Sequence, residues 1–306
     1  MPSLKEYRDR IKSVKSTKKI TSAMKMVAAA KLKKAQQQAE AGQPYAREMR
    51  DMLARVAANL GPLGGEGLKL MSGTGQDHSH LLIVVSAERG LCGGFNAQIV
   101  RQTRHKVAAL KHEGKQVQIV CVGRKAGDIL RREFPSLVLK HFPAASGQSG
   151  PAFRDAQNVA DYVLHLFDDG QFDVAHLLYN EFHSILTQQA VEPQLIPFSM
   201  PEQEGGEEEE ETEQNAKNTE AQALYSFEPD EETILQALLP RNITVQIYRA
   251  LLDNAAGEQA ARMTAMDNAT RNAGDMIGKL TLQYNRARQA YITKELIEII
   301  SGAEAL

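Results

Sequence analysis

The chain has 306 residues, of which 42% are hydrophobic and 6% aromatic, with two cysteines and a formal net charge of −2. Two cysteines are too few for a disulfide framework or a cysteine-based metal site, which favours a reducing compartment. No segment approaches the ~20 consecutive apolar residues that span a bilayer, and the N-terminus lacks the apolar core of a secretory signal, so we expect a soluble protein.

Charge is strongly segregated along the chain. Residues 1–34 hold eleven Lys and Arg against two acidic residues, a local charge of +9. Residues 202–232 hold thirteen acidic residues against one lysine, a local charge of −12. These two blocks, rather than the mean charge, therefore indicate what the protein contacts.

Residues 1–60 are predicted to form a long amphipathic helix. Ser3 is the expected N-cap, and Glu6 is its capping-box partner three residues on. Apolar residues recur at the spacing of a coiled-coil seam, at Leu4, Tyr7, Ile11 and Val14 and again at Ile20, Met24, Val27 and Ala30. Pro44 cannot donate a helical hydrogen bond, so we expect a kink or a short break at 42–44.

Residues 80–200 follow a different pattern, in which apolar runs alternate with helical segments. Strands are expected at 81–85, 117–122, 137–142, 174–179 and 191–197. Helices are expected from Asn96 to about Lys111, near 125–133 and at 155–167. Unbroken apolar strands separated by helices predict a mostly parallel, Rossmann-like sheet covered on both faces.

The last part of the chain begins with an acidic tract and ends in a second long helix. Residues 201–222 are too polar and charged to bury a core, so we expect them to be disordered. Residues 229–306 are predicted to be helical and carry a seam at Met266, Thr270, Ala273, Ile277, Leu280, Tyr284, Ala287 and Tyr291. The fold class is therefore α/β, in which a long antiparallel coiled coil of the N- and C-terminal helices joins a central Rossmann-like α/β domain.

Motifs that could carry chemistry are few. The turn Gly90–Asn96 lies between a strand and a helix, where phosphate-binding loops occur, but it matches neither glycine-rich nucleotide motif, so a tight turn is the favoured interpretation. Cys92 is interpreted as a packing residue rather than a reactive thiol. His78 and His80 are interpreted as part of a solvated loop rather than as metal ligands. We predict no catalytic residue, no metal site and no cofactor.

Four segments together resemble one known family. They are Met24-Lys-Met-Val-Ala28, Arg89-Gly-Leu-Cys-Gly-Gly-Phe-Asn96, Glu258-Gln-Ala-Ala-Arg-Met-Thr-Ala-Met266 and the ungapped stretch 285–303. In these segments the chain is similar to the gamma subunit of F-type ATP synthase. The resemblance extends over the whole chain except the acidic tract, which looks like an insertion.

The resemblance implies a rotating shaft that is not itself an enzyme. Its partners would be three alpha and three beta subunits, the epsilon subunit and the membrane ring of c subunits, and its place the cytoplasmic face of the bacterial inner membrane. Rotor–stator contacts are implied at Met24, Lys25, Glu258, Arg262, Arg288, Gln289 and Thr293. An apolar tip held in a bearing is implied at Leu296, Ile297, Ile299 and Ile300, and a foot on the c ring and epsilon subunit at Tyr225 and Phe227.

Two other functions remain open from the residues alone. One is a nucleotide-binding α/β enzyme that dimerises through a coiled coil, which would need phosphate-loop chemistry at Gly90–Asn96. The other is a basic coiled-coil adaptor for a membrane or a nucleic acid, although the basic helix lacks the interleaved aromatics of a nucleic-acid surface, and we expect no nucleic-acid partner. The tract 202–222 is hypothesised to bind a regulatory protein, against the simpler interpretation of a solvated loop.

Overall fold

A computed structural model describes residues 3–60, 69–144, 150–198 and 231–304. Within these ranges the elements are α1 (Leu4–Leu60), α2 (Lys69–Ser72), β1 (Ser79–Val85), α3 (Phe95–His112), β2 (Gln116–Val122), α4 (Arg124–Glu133), β3 (Val138–Phe142), α5 (Phe153–Asp168), β4 (Val174–Phe182), β5 (Gln188–Val191), β6 (Gln194–Ile196) and α6 (Glu231–Glu304). The acidic tract and the predicted foot residues Tyr225 and Phe227 lie outside the described residues.

The first and last helices, α1 and α6, pack against each other as an antiparallel pair. Thr21 Oγ1 lies 2.7 Å from Thr270 Oγ1, and Lys25 Nζ lies 2.5 Å from Asp267 Oδ1. Nearer the chain start, the Arg8 guanidinium donates to the Tyr284 hydroxyl at 2.9 Å. The position numbers of the two helices run in opposite directions through these contacts, which confirms the predicted antiparallel coiled coil.

The predicted seam of α6 is confirmed from Met266 to Ala287, but its last position is wrong, because Tyr291 is 53% exposed beyond the end of α1. Part of the predicted α1 seam is also wrong. Ile20 is 59% and Val27 57% exposed, and Ala30 is exposed as well. The buried positions are instead Thr21, Ala28, Leu32 and Ala35. A step of six residues separates Val14 from Ile20, which does not fit the alternating steps of three and four that keep side chains on one helix face. The true seam therefore includes the polar Thr21 and leaves the apolar Ile20 and Val27 outside.

The start of α1 is capped as predicted. The Ser3 backbone N–H donates to the Glu6 carboxylate, and the Glu6 N–H donates to Ser3 Oγ, both at 3.2 Å. Of the two alternatives predicted at 42–44, the short break is wrong, because α1 continues through Pro44 as one helix, and the kink stays a prediction. The later proline, Pro240, likewise lies within α6.

The central sheet has the strand order β3-β2-β1-β4-β5, with β6 also paired to β4. Strands β1, β2, β3 and β4 are parallel to one another, whereas β5 and β6 are antiparallel to β4. The mostly parallel sheet is thereby confirmed. The single strand predicted at 191–197 is wrong, because that region contains the end of β5 and the short β6 instead.

Both faces of the sheet are covered, but by different kinds of helix. Leu82 and Val84 on one face pack with α3 and α4. Leu81, Ile83 and Val85 on the other face pack with α5 and with α6 residues such as Ile247. Each apolar side chain buried in this way contributes ~1.5–3 kcal/mol. Because α6 belongs to both the coiled coil and the sheet core, the coil and the domain share one packed body.

Among the helices in the described part of the chain, none combines the length and the apolar character required to cross a bilayer.

Candidate functional site

An exposed apolar patch lies on α1, formed by Ile20, Met26 and Val27, which we call the α1 patch. These side chains are 59%, 66% and 57% exposed. They lie outside the coil because the seam takes Thr21 and Ala28 instead, which are 8% and 1% exposed. Apolar side chains on a strongly basic helix fit a partner that is both apolar and acidic.

A groove of about 590 Å³ borders this patch and separates α1 from the α/β domain. Its α1 wall includes Met24, Val27 and Lys31, and its opposite wall includes Arg89 and Leu91. Lys25, the neighbour of Met24 in the predicted contact set, points instead toward α6, where it pairs with Asp267. Of those two residues, the structure thus brings only Met24 to the groove.

The glycine-rich segment 89–96, called the Gly90 loop below, is a tight turn held by its own side chains. Leu91 has a φ of 64° and Gly93 a φ of 58°, the left-handed conformation that favours glycine. The Asn96 side-chain oxygen accepts the Ala87 N–H at 3.0 Å, and its amide donates to Cys92 Sγ at 3.1 Å. Burial raises the pKa of the Cys92 thiol, which keeps it protonated and supports the packing interpretation.

The Gly90 loop is in contact with α6. In doubly wound folds the ligand binds outside the carboxyl ends of the strands. Here a Cβ added to Gly257 of α6 would lie 3.0 Å from the Phe95 ring, so a larger residue would require that ring to shift. The Arg262 guanidinium donates to the Gly90 carbonyl at 3.3 Å. Gly257 and Arg262 of α6 thus lie against the start of α3 and the Gly90 loop, where a nucleotide phosphate would bind, which counts against the nucleotide-binding alternative.

Glu258 and Arg262 form a buried ion pair at this junction. Their closest N···O distance is 2.5 Å, and the side chains are 14% and 12% exposed. Burial raises the pKa of Glu258 despite the adjacent Arg262, so desolvation of the carboxylate outweighs the attraction. Sequence similarity suggested that both residues contact other subunits. Their ion pair was predictable from the i, i+4 spacing on α6, whereas the hydrogen bond from Arg262 to the Gly90 carbonyl was not.

The far end of α6 has no partner helix in the described residues. Tyr284 lies opposite Arg8, near the beginning of α1, and α6 continues from Tyr284 to Glu304, roughly 30 Å farther at ~1.5 Å per residue. The predicted contact residues Arg288, Gln289 and Thr293 are exposed there. The predicted tip is exposed as well, at 54% for Leu296, 59% for Ile297, 71% for Ile299 and 50% for Ile300.

The prediction that His80 lies in a solvated loop is wrong. His80 is not in a solvated loop but lies in β1, where it is 4% exposed. Burial occurs because its side chain points to the sheet face covered by α3. Across the described ranges, no group of three or more His, Cys, Asp or Glu side chains is arranged to hold a metal ion.

Comparison with known proteins identifies the family. A family model described as ATP synthase matches residues 3–306. The ATP synthase gamma chains of Sinorhizobium medicae and Brucella anthropi are 54% and 53% identical over 306 residues, which is 100% of this chain and of each relative. A chain of the central stalk and c ring of the Tetrahymena thermophila mitochondrial ATP synthase has 26% identity and a TM-score of 0.57, covering 82% of this chain and 99% of that one.

A second solved structure agrees in fold. A chain of the Euglena gracilis mitochondrial ATP synthase, from an assembly of OSCP, F1 and c ring, covers 99% of this chain and 94% of its own length with a TM-score of 0.61. Its sequence identity of 21% supports the fold alone. The full-length relatives and the family model confirm what the four motifs predicted: the chain belongs to the family of ATP synthase gamma chains.

Proposed function

We propose that this chain is the central rotor shaft of an F-type ATP synthase, which couples proton-driven rotation of the c ring to conformational change at the beta-subunit sites. The observation that carries the proposal is the asymmetry of the coil. One side presents the apolar α1 patch in a basic helix, and the end is a single exposed helix. A shaft with unequal faces presents a different contact to each surrounding subunit at any instant, which is what a change in rotation angle needs to favour one conformer over another.

The contacts are assigned by position along the shaft. Met24, at the groove, meets an acidic loop of the beta subunit, and the basic character of α1 supports that pairing. Lys25 assists through its partly exposed side chain while it remains paired with Asp267. Glu258 and Arg262 have a dual role, since they fix the Gly90 loop and also line the groove that the head faces.

The remaining contacts are assigned to the C-terminal end of α6 and to the predicted foot residues Tyr225 and Phe227. Arg288, Gln289 and Thr293 make polar contacts with the head, and the apolar tip from Leu296 to Ile300 turns in an apolar bearing. Tyr225 and Phe227, outside the described residues, contact the c ring and the epsilon subunit. Apolar side chains that are half exposed at the end of a long helix support a bearing because they would otherwise face water.

The chain itself does no chemistry under this proposal, and it belongs to a complex at the cytoplasmic face of the bacterial inner membrane. The contacts of α6 with the Gly90 loop and with Phe95 support a non-catalytic subunit. The bacterial source of its full-length relatives supports the bacterial setting. Cys92 and Cys121 are free and buried, which is compatible with a reducing compartment.

The test is a reversible cross-link between shaft and head in the assembled complex. Val27→Cys carries a cleavable maleimide–photoreactive linker, and the buried native Cys92 and Cys121 stay unlabelled. We expect illumination to stop ATP hydrolysis and cleavage of the linker to restore it. The matched control is Leu139→Cys on β3, which is 41% exposed and lies on the α/β domain, and it should leave hydrolysis unchanged. Full turnover by the Val27→Cys complex cross-linked to an alpha or beta subunit would refute rotation against the head.

A further inference from the structure

Two buried histidines contact each other at the amino ends of the central strands. His80 on β1 and His176 on β4 are 4% and 8% exposed. His80 Nδ1 lies 3.3 Å from His176 Nε2. The two ring planes differ by 4°, and the ring centroids lie 5.5 Å apart. Because the closest atoms are much nearer than the centroids, the rings meet nitrogen to nitrogen, so one N–H must donate and the other nitrogen must accept.

Asp77 decides which nitrogen donates. Its Oδ1 lies 2.7 Å from His80 Nε2, a short contact, although it is off the N–H axis of an ideal hydrogen bond. A hydrogen bond from Lys115, at 2.6 Å, lowers the pKa of Asp77 and keeps the carboxylate ionised. An ionised oxygen at this distance requires a proton on His80 Nε2. Neutral His80 then accepts at Nδ1, and His176 donates from Nε2.

With these proton positions, the contacts that run from Asp77 through His80 to His176 end at His176 Nδ1. His176 Nδ1 carries no proton in the neutral pair, and it is buried without a hydrogen-bond partner among the described residues. A further proton would have to occupy this atom, where nothing accepts its N–H. The charged groups facing the pair are Asp77, Lys115 and its second partner Glu113, Lys106 from α3, and Glu192 from the β5–β6 connection.

We propose that Asp77, His80 and His176 form an acid-sensitive contact that holds the amino ends of β1 and β4 together only while both imidazoles are neutral. Protonation of His176 at Nδ1 places a buried charge under α3 on an N–H that has no acceptor among the described residues, so it favours conformations in which the strand ends open to water. Acidification therefore loosens the edge of the α/β domain where the two strands begin, independently of the coiled coil and of the rotor assignment.

The titration direction agrees with this geometry. Burial lowers the pKa of His176 to about 4, with Lys106 and His80 acting in the same direction. Burial also lowers the pKa of His80, against the attraction of Asp77. Both folded-state values lie below that of an unfolded histidine, so stability is full above pH ~6.5 and is lost as the pH falls toward the folded value.

The test is peptide-resolved hydrogen exchange of the full chain in its assembled complex at pH 7 and pH 5, corrected for the intrinsic pH dependence of exchange. For the wild type, protection of residues 79–82 and 174–177 should fall at least tenfold more than protection of β2. His176→Gln keeps a side-chain N–H donor without titrating, so its protection should change less than threefold. The exposed His105→Gln is the control and should behave like the wild type.

A second measurement covers the case in which His176→Gln does not assemble. Side-chain ¹⁵N shifts of the wild-type chain should show both imidazoles neutral and Nε2-protonated at pH 6. A wild-type protection that does not change between the two pH values, or imidazole resonances that titrate near the unperturbed value, would overturn the proposal.

Discussion

Replacing Arg262 by glutamine is expected to destabilise the junction between α6 and the Gly90 loop. The variant leaves the Glu258 carboxylate, which is 14% exposed, without its ion-pair partner, and it removes the donor to the Gly90 carbonyl. Removing one partner of a fully buried pair costs ~3–5 kcal/mol. Because both side chains retain some contact with solvent, we expect a loss of about 2–3 kcal/mol for Arg262→Gln.

The double variant separates the ion pair from other effects of substitution. With Glu258→Gln added, no charge remains unpaired, so the total loss should be only about 1 kcal/mol. A matched control is Arg271→Gln, whose partner Asp267 is 3.2 Å away but whose side chain is 69% exposed. An exposed pair contributes ~0–1 kcal/mol, so this control should change stability little.

The assay is urea unfolding of the full chain, followed by a probe on the α/β domain, for the wild type, both single variants and the double variant. Acidification gives a second check. Since the pKa of Glu258 is raised, the unpaired carboxylate takes up a proton readily, and the loss caused by Arg262→Gln should shrink as the pH falls through that pKa. The reasoning fails if Arg262→Gln is no worse than the control, or if the losses of the two single variants simply add in the double variant.

Three further changes test other parts of the molecule. Burial raises the pKa of Asp253 to about 6, so the ionised carboxylate is unfavourable in the folded protein. Asp253→Asn should therefore raise the free energy of unfolding in urea by about 1–2 kcal/mol at pH 8 and by much less at pH 5. An equal gain at both pH values would contradict this. Met24→Lys should lower protons pumped per ATP hydrolysed in membrane vesicles more than it lowers the unfolding midpoint, and unaltered pumping would remove Met24 from the moving contact. Ile297→Ser with Ile300→Ser should leave the isolated chain as stable as before, because both are at least half exposed, but should weaken assembly with the head; unchanged co-purification at native stoichiometry would refute the bearing.

Local spacing was sufficient wherever a pattern depends on the chain's own geometry. The α6 seam from Met266 to Tyr284 was predictable because side chains three and four apart must share a helix face. Apolar runs such as 81–85 were predictable as buried strands for the same kind of reason. The motif of the Gly90 loop carried part of the family resemblance, although it matches neither glycine-rich nucleotide motif.

Other features depend on which surface packs opposite, and no spacing rule contains that information. Ile20 and Val27 are apolar but exposed because α6 meets α1 along Thr21 and Ala28. His80 is buried because β4 places His176 beside it. Two short antiparallel strands replace one at 191–197 because β4 offers pairing positions on the same side of the sheet.

The sequence by itself determined two seamed terminal helices, an α/β middle and membership of a rotor family, since periodicity and motif are properties of neighbours along the chain. Only the tertiary structure decided that Arg262 donates to the Gly90 carbonyl, that α6 packs on one face of the sheet and that the α1 patch is exposed. These features depend on segments that are far apart along the chain, and their energies arise from burial and charge that exist only after the segments have packed together.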